Sequence, residues 1–555
     1  MVPFSSGSFS LLLGIYMLNC VAAIEQSPLD FDDTRAFHVA VIGAGIAGAS
    51  SAFHLRNFTV SEFNRPLKIT VYESAAEIGG QVKTVSPTGS PRDALEAGAS
   101  HFYDDDWCLT NASQSTNIEW RAAYPGWGEV WDRIRFSQDR FCYKEAPWQI
   151  PPFWDPRPHA RKKVLDTVAR FLKEVSFEWK HRFEPRKLRY KISALQAKFN
   201  LFGQNGTFDG VQSELKTLGL EASINSSAEQ FLDDLEVPKS LQTIWLELCI
   251  RNLFGIDLKD ALGLHVIVSF GSTRSHPIDI SIGNNNLARR MIEQSGAELQ
   301  LDSKVVEVAT GIQRRFALTI ASDNPVDNQR VEYDAVIFTG DSMTQLRPQS
   351  APRPAHIQTH VTHFSSTYSL SPAAFGLGTS SVPLSILTTK NSSLLDEDVS
   401  IVRLKSHTEF YIDGRGCSGD DECDQWLQVH RIDSRNYLPR EYLDRMAGGE
   451  VPDWVDQRSW NRTLPLFNAS DSASSNIELE PNLFNTKGNI LDTMEMSCRM
   501  GRIVALRLHE QKLLSVLPRQ ESGDAMMFGT MGRRLLERTG KFVRAGVRYA
   551  GQMLL

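Results

Sequence analysis

The sequence reads as an α/β protein, and three observations lead to that reading. An apolar strand runs into a Gly-x-Gly-x-x-Gly turn at residues 43–48. A second apolar run ends on an acid, Glu73. Past His356 the text changes to the period-two segments that build antiparallel sheets. At 555 residues the chain exceeds what one hydrophobic core usually covers, so interlocked domains are expected. A net charge of −7 and a pI near 6.0 supply no basic field for a phosphate backbone, which excludes nucleic acid as a partner.

The first residues carry a processing signal rather than a fold signal. Met1 to Ser8 is short, Phe9 to Leu18 is apolar, and Val21-Ala22-Ala23 offers small residues for cleavage. Residues 1–23 are read as a signal peptide, although no Lys or Arg precedes the apolar run. That run is far short of the roughly 20 residues a membrane span needs. Asn-x-Ser/Thr sequons at Asn57, Asn111, Asn205, Asn225, Asn391, Asn461 and Asn468 agree with passage through a secretory lumen. The expected location is therefore the secretory pathway, ending in a vacuolar or lysosomal lumen or outside the cell. Of seven cysteines, Cys20 lies in the leader and the even remainder permits disulfides. Cys417 and Cys423 flank a turn-rich stretch and form the best local pair, while Cys249 sits in an apolar run as a buried thiol. No CxxC spacing occurs, so no metal site is expected.

Val39-Ala40-Val41-Ile42 is a β-branched run suited to a buried parallel strand. It leads directly into Gly43-Ala44-Gly45-Ile46-Ala47-Gly48 and a helix beginning near Ala49. Gly43 permits the tight turn, Gly45 lets a pyrophosphate approach the backbone, and Gly48 lets helix and strand pack closely. The pyrophosphate would then meet the free N–H groups at the helix N-terminus. Lys68 to Tyr72 gives the second strand, and the Glu73 carboxylate is placed to accept from ribose hydroxyls. Strand, glycine turn, helix, strand and acid in that order define a Rossmann-type dinucleotide half-site.

Glu77-Ile78-Gly79-Gly80-Gln81 follows at once. It resembles the second glycine signature of the amine-oxidase-like flavoproteins, in which two glycines and a basic residue face the FAD pyrophosphate. Gln81 stands at the basic position, with Lys83 two residues on. A neutral amide there gives up one charge-assisted contact. Glu96-Ala97-Gly98-Ala99-Ser100-His101 is similar to the segment whose backbone passes beside the flavin ring in that family. The resemblance implies FAD, with Gly98 and Ala99 beside the ring.

Residues 104–275 are rich in aromatics and helical periods and are read as a helical, substrate-side insertion. Trp120, Trp127 and Trp131 are expected in core packing there. Ile282-Gly283-Asn284 opens a helix, after which the chain would return to the cofactor domain as flavin oxidases of this fold do, with the Val305-Val306 backbone, Val306 above all, bordering the adenine. Tyr333 to Gly340 adds a further buried strand. His356 and His360 share one strand face and His363 takes the other, which reads as hydrogen-bonded strand histidines. Thr493-Met494-Glu495-Met496-Ser497 opens a late helix, with Met494 at the cofactor. Together with Ile282-Gly283-Asn284 and the leader, this stretch resembles prenylcysteine oxidases, also called prenylcysteine or farnesylcysteine lyases. Asn489 stands where that family tends to carry a glutamate.

The expected organisation is a Rossmann-type FAD-binding domain in three parts (36–103, 276–345 and 481–515), the 104–275 insertion, and an antiparallel-sheet substrate domain at 346–480. A tail follows at 516–555. There Arg533, Arg534, Arg538, Lys541, Arg544 and Arg548 interleave with apolar residues, a pattern able to lie on an anionic membrane surface.

The resemblance implies oxidation at the allylic carbon beside a prenylcysteine thioether, addition of water, and collapse to cysteine and a prenyl aldehyde, with oxygen reduced to hydrogen peroxide. The partners are thus a small apolar substrate and oxygen. His101 is the titratable residue nearest the ring by motif position and is the candidate catalytic group. Two rivals remain open: an FAD oxidase or dehydrogenase acting on another apolar metabolite such as a terpenoid, polyketide or amine, and a flavin-bearing lipid binder without turnover. An NADPH-dependent monooxygenase is disfavoured, since no second glycine fingerprint is legible.

Overall fold

The computed structural model describes residues 36–59, 66–100, 102–122, 134–136, 141–144, 184–204, 206–208, 210–239, 242, 246–271, 277–310, 315–322, 328–339, 356–366, 370–375, 382, 385–388, 401–412, 425–463, 478–486, 491 and 493–516. Residues up to Arg507 belong to one unit. Of a second unit, Leu508–Leu555, only the end of the last helix is described.

In chain order, β1 (Phe37–Ile42), α1 (Ile46–Thr59) and β2 (Leu67–Tyr72) are followed by β3 (Thr84–Val85), β4 (Leu95–Glu96) and α2 (Trp107–Ser115). Next come β5 (Ile134–Phe136), β6 (Phe141–Lys144), α3 (Glu184–Asn200), α4 (Gly263–Gly271), α5 (Asn285–Ser295) and β7 (Glu298–Gln300). Then follow β8 (Ala335–Phe338), β9 (His356–Ser366), β10 (Ser385–Thr388), β11 (Ile401–Ile412), β12 (Gln425–Ser434) and β13 (Val455–Thr463). The series ends with β14 (Glu478–Glu480), β15 (Leu483–Asn485) and α6 (Met494–Val516).

Two sheets organise these elements. The first has the order β7-β2-β1-β8-β15-β14, parallel except for its last pair. Its central strand, β1, has Val39, Ala40 and Val41 wholly buried, as expected of a strand covered on both faces. On one side a three-stranded antiparallel sheet (Val305–Thr310, Phe316–Ile320, Gln329–Tyr333) closes a core of Ile42, Tyr72, Phe316, Leu318, Val336 and Phe338. The Tyr72 and Tyr333 hydroxyls share a hydrogen bond of 2.6 Å across it. Helix α5 packs against α1 on the other side, and the Arg56 Nε donates to the Ser295 carbonyl at 2.7 Å. Helix α6 also crosses α1 closely. A Cβ at Gly501 would stand 2.4 Å from the Ala47 carbonyl, so only glycine fits that crossing.

The second sheet has the order β13-β9-β12-β11-β10-β6-β5 and is antiparallel throughout. Phe364, Phe375, Ile386, Ile432, Leu443 and Met446 form its core. Residues 401–404 and 410–412, which the period-two pattern divides into separate segments, belong to the single strand β11, with register shifts along its length. Strands β5 and β6 lie inside the stretch expected to be helical, and they extend this sheet. Trp120 is 45% exposed, on a short strand pairing with Pro277–Ile280, rather than in the core. Trp127 and Trp131 lie outside the described residues. His360 Nδ1 is 2.9 Å from the Ser459 hydroxyl, and His363 is buried on the opposite face.

Among the described residues a disulfide joins Cys108 of α2 to Cys498 of α6, 390 residues apart, a pairing that local spacing could not suggest. Cys417 and Cys423 are outside the described residues. Cys249 is a half-buried free thiol whose pKa burial pushes up to about 12. Among the described residues, His54, Cys108 and Cys498 are the one group of three metal-type ligands that converge, and the two sulfurs are bonded to each other. No described helix is long and apolar enough to cross a membrane.

Candidate functional site

The site forms where β1 and β2 end. The Gly43 N–H donates to the Tyr72 carbonyl at 2.7 Å, turning the chain sharply at φ +107°. A Cβ at Gly48 would fall 1.9 Å from the Gly43 carbonyl, which ties helix α1 to the strand end. The second glycine turn docks on the first: the Gly79 N–H donates to the Ala44 carbonyl at 3.1 Å, and Gly45 and Gly79 form a bridge. A side chain at Gly80 would meet the Gly45 Cα at 3.5 Å. Two side-chain-free turns thus face each other at the N-terminus of α1, leaving exposed backbone and a favourable dipole for an anion.

Glu73 is buried and held on both oxygens. Its Oε2 accepts from the Ala44 N–H at 2.8 Å, and its Oε1 from the Ala75 N–H at 3.0 Å. The Ser303 N–H donates to its carbonyl, bringing the segment after β7 to the same place.

These elements enclose a cavity of about 690 Å³. Of the residues expected at a cofactor, Gly43, Gly45, Ala47, Glu73, Gly79, Gly80, Gln81, Ala99 and Met494 line it. Ala44, Gly48 and Gly98 do not. Ala44 is buried behind Glu73, and Gly48 and Gly98 serve close backbone packing. Of the Val305-Val306 backbone expected at the adenine, Val305 lines the cavity, whereas Val306 does not and is 39% exposed. His101 and Asn489 lie outside the described residues. Lys83 does not line the cavity, because its ammonium pairs with Glu77. Gln81 is exposed, and its Nε2 reaches the Asn461 carbonyl at 3.4 Å.

Sequence reading missed part of the wall. Ser303 and Lys304 follow β7, Thr339 follows β8, and Met496, Ser497 and Met500 occupy the first turns of α6. Only the Thr-Met-Glu-Met-Ser stretch signalled any of these. The first turns of α6 are held from outside the cavity. Glu495 accepts from the Cys108 and Leu109 N–H groups, both at 3.0 Å, so it caps α2, and the Arg499 Nε donates to it at 2.6 Å. Burial, reinforced by the Glu495 carboxylate, raises the Asp106 pKa beside this pair.

Glu96 is fully enclosed, accepting from the Asn284 N–H at 2.7 Å and the Thr84 hydroxyl at 3.3 Å. Burial pushes its pKa up to about 8, with Asp279 acting in the same direction and the Asn284 N–H, Arg431 and Thr84 opposing. The segment from Glu96 to Ala99 leads to the cavity wall.

A dinucleotide fits this cavity. The paired glycine turns leave room for a pyrophosphate, the fixed Glu73 carboxylate meets a ribose, and the methionine-rich turns of α6 offer an apolar wall to a ring. The fold and site define an FAD-dependent oxidoreductase. Putrescine oxidase shares the fold at TM-score 0.50 and 14% identity, over 86% of this chain and all of that one. Cyclohexylamine oxidase from Brevibacterium oxydans IH-35A does so at 0.50 and 13%, over 86% of this chain and 99% of its own. A profile of NAD(P)-binding Rossmann-like domains matches residues 41–108. The profile of prenylcysteine lyase matches residues 168–515, and the chain belongs to that family. Farnesylcysteine lyase of Arabidopsis thaliana is 22% identical over 531 residues, 89% of this chain and 98% of that one.

Proposed function

We propose that this protein oxidises a prenylcysteine thioether, giving free cysteine, a prenyl aldehyde and hydrogen peroxide. The observation carrying this reading is the prenylcysteine lyase match over residues 168–515, which spans the seven-stranded sheet from β9 to β13 and the α6 turns lining the cavity. Bound FAD supplies a two-electron acceptor, and oxygen is the final oxidant. The chain's part is to hold and to shield. Gly43, Gly45, Gly79 and Gly80 present backbone to the pyrophosphate and Glu73 fixes the ribose, while Leu491, Met494, Met496 and Met500 restrict water at an apolar wall. Among the described lining residues only Tyr72, Glu73 and Lys304 carry acidic or basic side chains, and they come from the strand-end side of the cavity. The oxidised carbon, still bonded to sulfur, takes up one water and releases the thiol. That collapse needs no nucleophile from the protein.

The same reading puts the protein in a secretory lumen, its leader removed near Ile24. Asn57, Asn111, Asn225 and Asn461 are exposed and open to glycosylation; Asn205, Asn391 and Asn468 lie outside the described residues. The basic tail at 516–555, outside them beyond Val516, would rest on an anionic membrane surface. The test is peroxide and aldehyde release by purified holoprotein supplied with farnesylcysteine. Turnover of a terpenoid or amine in its place would overturn the substrate, and no turnover with any of them would overturn the activity. Deglycosylation of protein from a eukaryotic host checks the compartment, and an unchanged mass with Met1 retained would refute it.

A further inference from the structure

Three consecutive carbonyls of the Glu96–Gly98 segment are taken up by side chains of the seven-stranded sheet. The Arg431 guanidinium, on β12, donates from Nη1 to the Glu96 carbonyl and from Nη2 to the Gly98 carbonyl at 3.1 Å. The Trp460 indole N–H, on β13, donates to the Ala97 carbonyl between them at 2.7 Å. Carbonyls of successive residues point to opposite edges of an extended chain, so both edges are held. The N–H groups of the segment are held as well: Ala97 donates to the Lys83 carbonyl at 2.7 Å and Ala99 to the Gln81 carbonyl at 3.0 Å. Gly98 leaves no slack, since a Cβ there would stand 1.9 Å from the Gln81 carbonyl and 3.3 Å from the Trp460 ring. The next residue, Ala99, is cavity wall, as is Gln81, whose carbonyl it bonds.

We propose that Arg431, assisted by Trp460, is a positioning residue that sets the Glu96–Ala99 backbone against the flavin and keeps the seven-stranded sheet in register with it. A guanidinium only 2% exposed is costly unless its donors are all engaged. Here Nε is matched by Asp433 at 2.8 Å and both terminal nitrogens go to backbone two residues apart. That spacing needs the rigid fork of arginine; a lysine point charge cannot span it. An apolar side chain would fill the same volume without this cost, so what arginine adds is the grip on the segment. The inference requires FAD in the cavity and is independent of which substrate is oxidised.

The experiment uses the FAD-loaded protein and no substrate. Arg431→Lys, Trp460→Phe and the double variant Arg431→Met/Asp433→Asn, which removes the charge pair together, are compared with wild type. The matched control is Arg251→Met/Asp257→Asn, a buried pair shared with Arg435, whose Arg251 donates to the Thr388 carbonyl on β10 of the same sheet rather than to the segment. Visible absorption and circular dichroism of the flavin, its reduction potential and the rate of FAD release are measured. The Arg431 variants are expected to shift the flavin bands and to release FAD about tenfold faster, as befits lost charge-assisted bonds. Trp460→Phe should move the same readouts by less, and the control should keep the wild-type spectrum at comparable loss of thermal stability. Wild-type flavin spectra in the Arg431 variants, or equal changes in the control, would overturn the assignment. Should the double variant not fold, Arg431→Lys and Trp460→Phe decide alone, and unchanged spectra and release in both would likewise refute it.

Discussion

The enclosed carboxyl of Glu96 makes stability depend on pH in an unusual direction. Its folded pKa, raised by burial to about 8, exceeds that of an exposed glutamate. Between that ordinary value, near 4.5, and about 8 the folded state therefore holds a proton the unfolded chain has lost. Stability contributed by this proton is complete below the window and is lost as pH rises through it, by up to about 1.4 kcal/mol per pH unit. From pH 5 to pH 7 the ceiling is about 2.7 kcal/mol, and relaxation around the ion brings a realistic figure to about 1.5 kcal/mol. Glu96→Gln replaces the protonated acid with an amide of the same shape and keeps an oxygen to accept from the Asn284 N–H. The variant should match wild type near pH 5 and exceed it in urea unfolding at pH 7. The buried imidazoles of His54, His265 and His430, pushed down to about 3 chiefly by burial, act in the opposite sense below pH 6.5. They cancel in the difference between the two proteins. Parallel stability curves from pH 5 to pH 8 would show that Glu96 does not carry this proton.

The other expectations concern the cavity and its tether. Gly45→Asp places a side chain and a negative charge between the two glycine turns, so the protein should purify without flavin absorbance; a full spectrum would refute the placement. Gln81→Arg should tighten FAD by roughly 10- to 100-fold, the range of about 1.5–3 kcal/mol for a charge-assisted bond. Lys83 is already committed to Glu77 and leaves that position without a cation, so the gain should not be masked. Dialysis at matched ionic strength measures it, and unchanged retention would remove Gln81 from the pyrophosphate. Cys108→Ser with Cys498→Ser opens a 390-residue closure, costing up to about 6 kcal/mol in the chain-entropy account. Urea unfolding should show that loss together with faster FAD release, since Ser497 and Met500 beside Cys498 line the cavity. A wild-type urea midpoint and release rate would exclude any hold of the disulfide on α6.

What was legible from sequence is what is local. Strand β1, its glycine turn, α1 and β2 lie within one short stretch, and each residue's task follows from the turn itself. Burial and period made β8 readable as a strand of the same sheet. Contacts across long separations left no trace. Cys108 and Cys498 meet only because α2 and α6 pack together, which their spacing in sequence does not reveal. Arg431 appears in sequence as a polar residue on an ordinary period-two strand. Its burial depends on backbone from residues 96–98 arriving at that spot. Strands β5 and β6 were hidden because an aromatic-rich stretch satisfies helix and strand patterns alike.

The cavity has no local origin either, and this ties cofactor binding to the fold. Its walls come from the ends of β1 and β2, the second glycine turn, the segment after β7, the end of β8 and the first turns of α6. The α6 wall is fixed through Glu495, whose carboxylate caps α2 at the start of the 104–275 insertion, and through the disulfide between the same two helices. Loosening α2 would therefore loosen Met494 to Met500 without touching the Rossmann-type half-site. A ligand that binds only the assembled walls adds its binding free energy to folding by mass action. FAD should then stabilise the insertion and α6 as much as the glycine turns it contacts. Hydrogen exchange of the α2 and α6 amides, with and without FAD, reads this directly. Protection gained only at residues 43–48 and 79–81 would mean that the half-site binds alone and the coupling through Glu495 is absent.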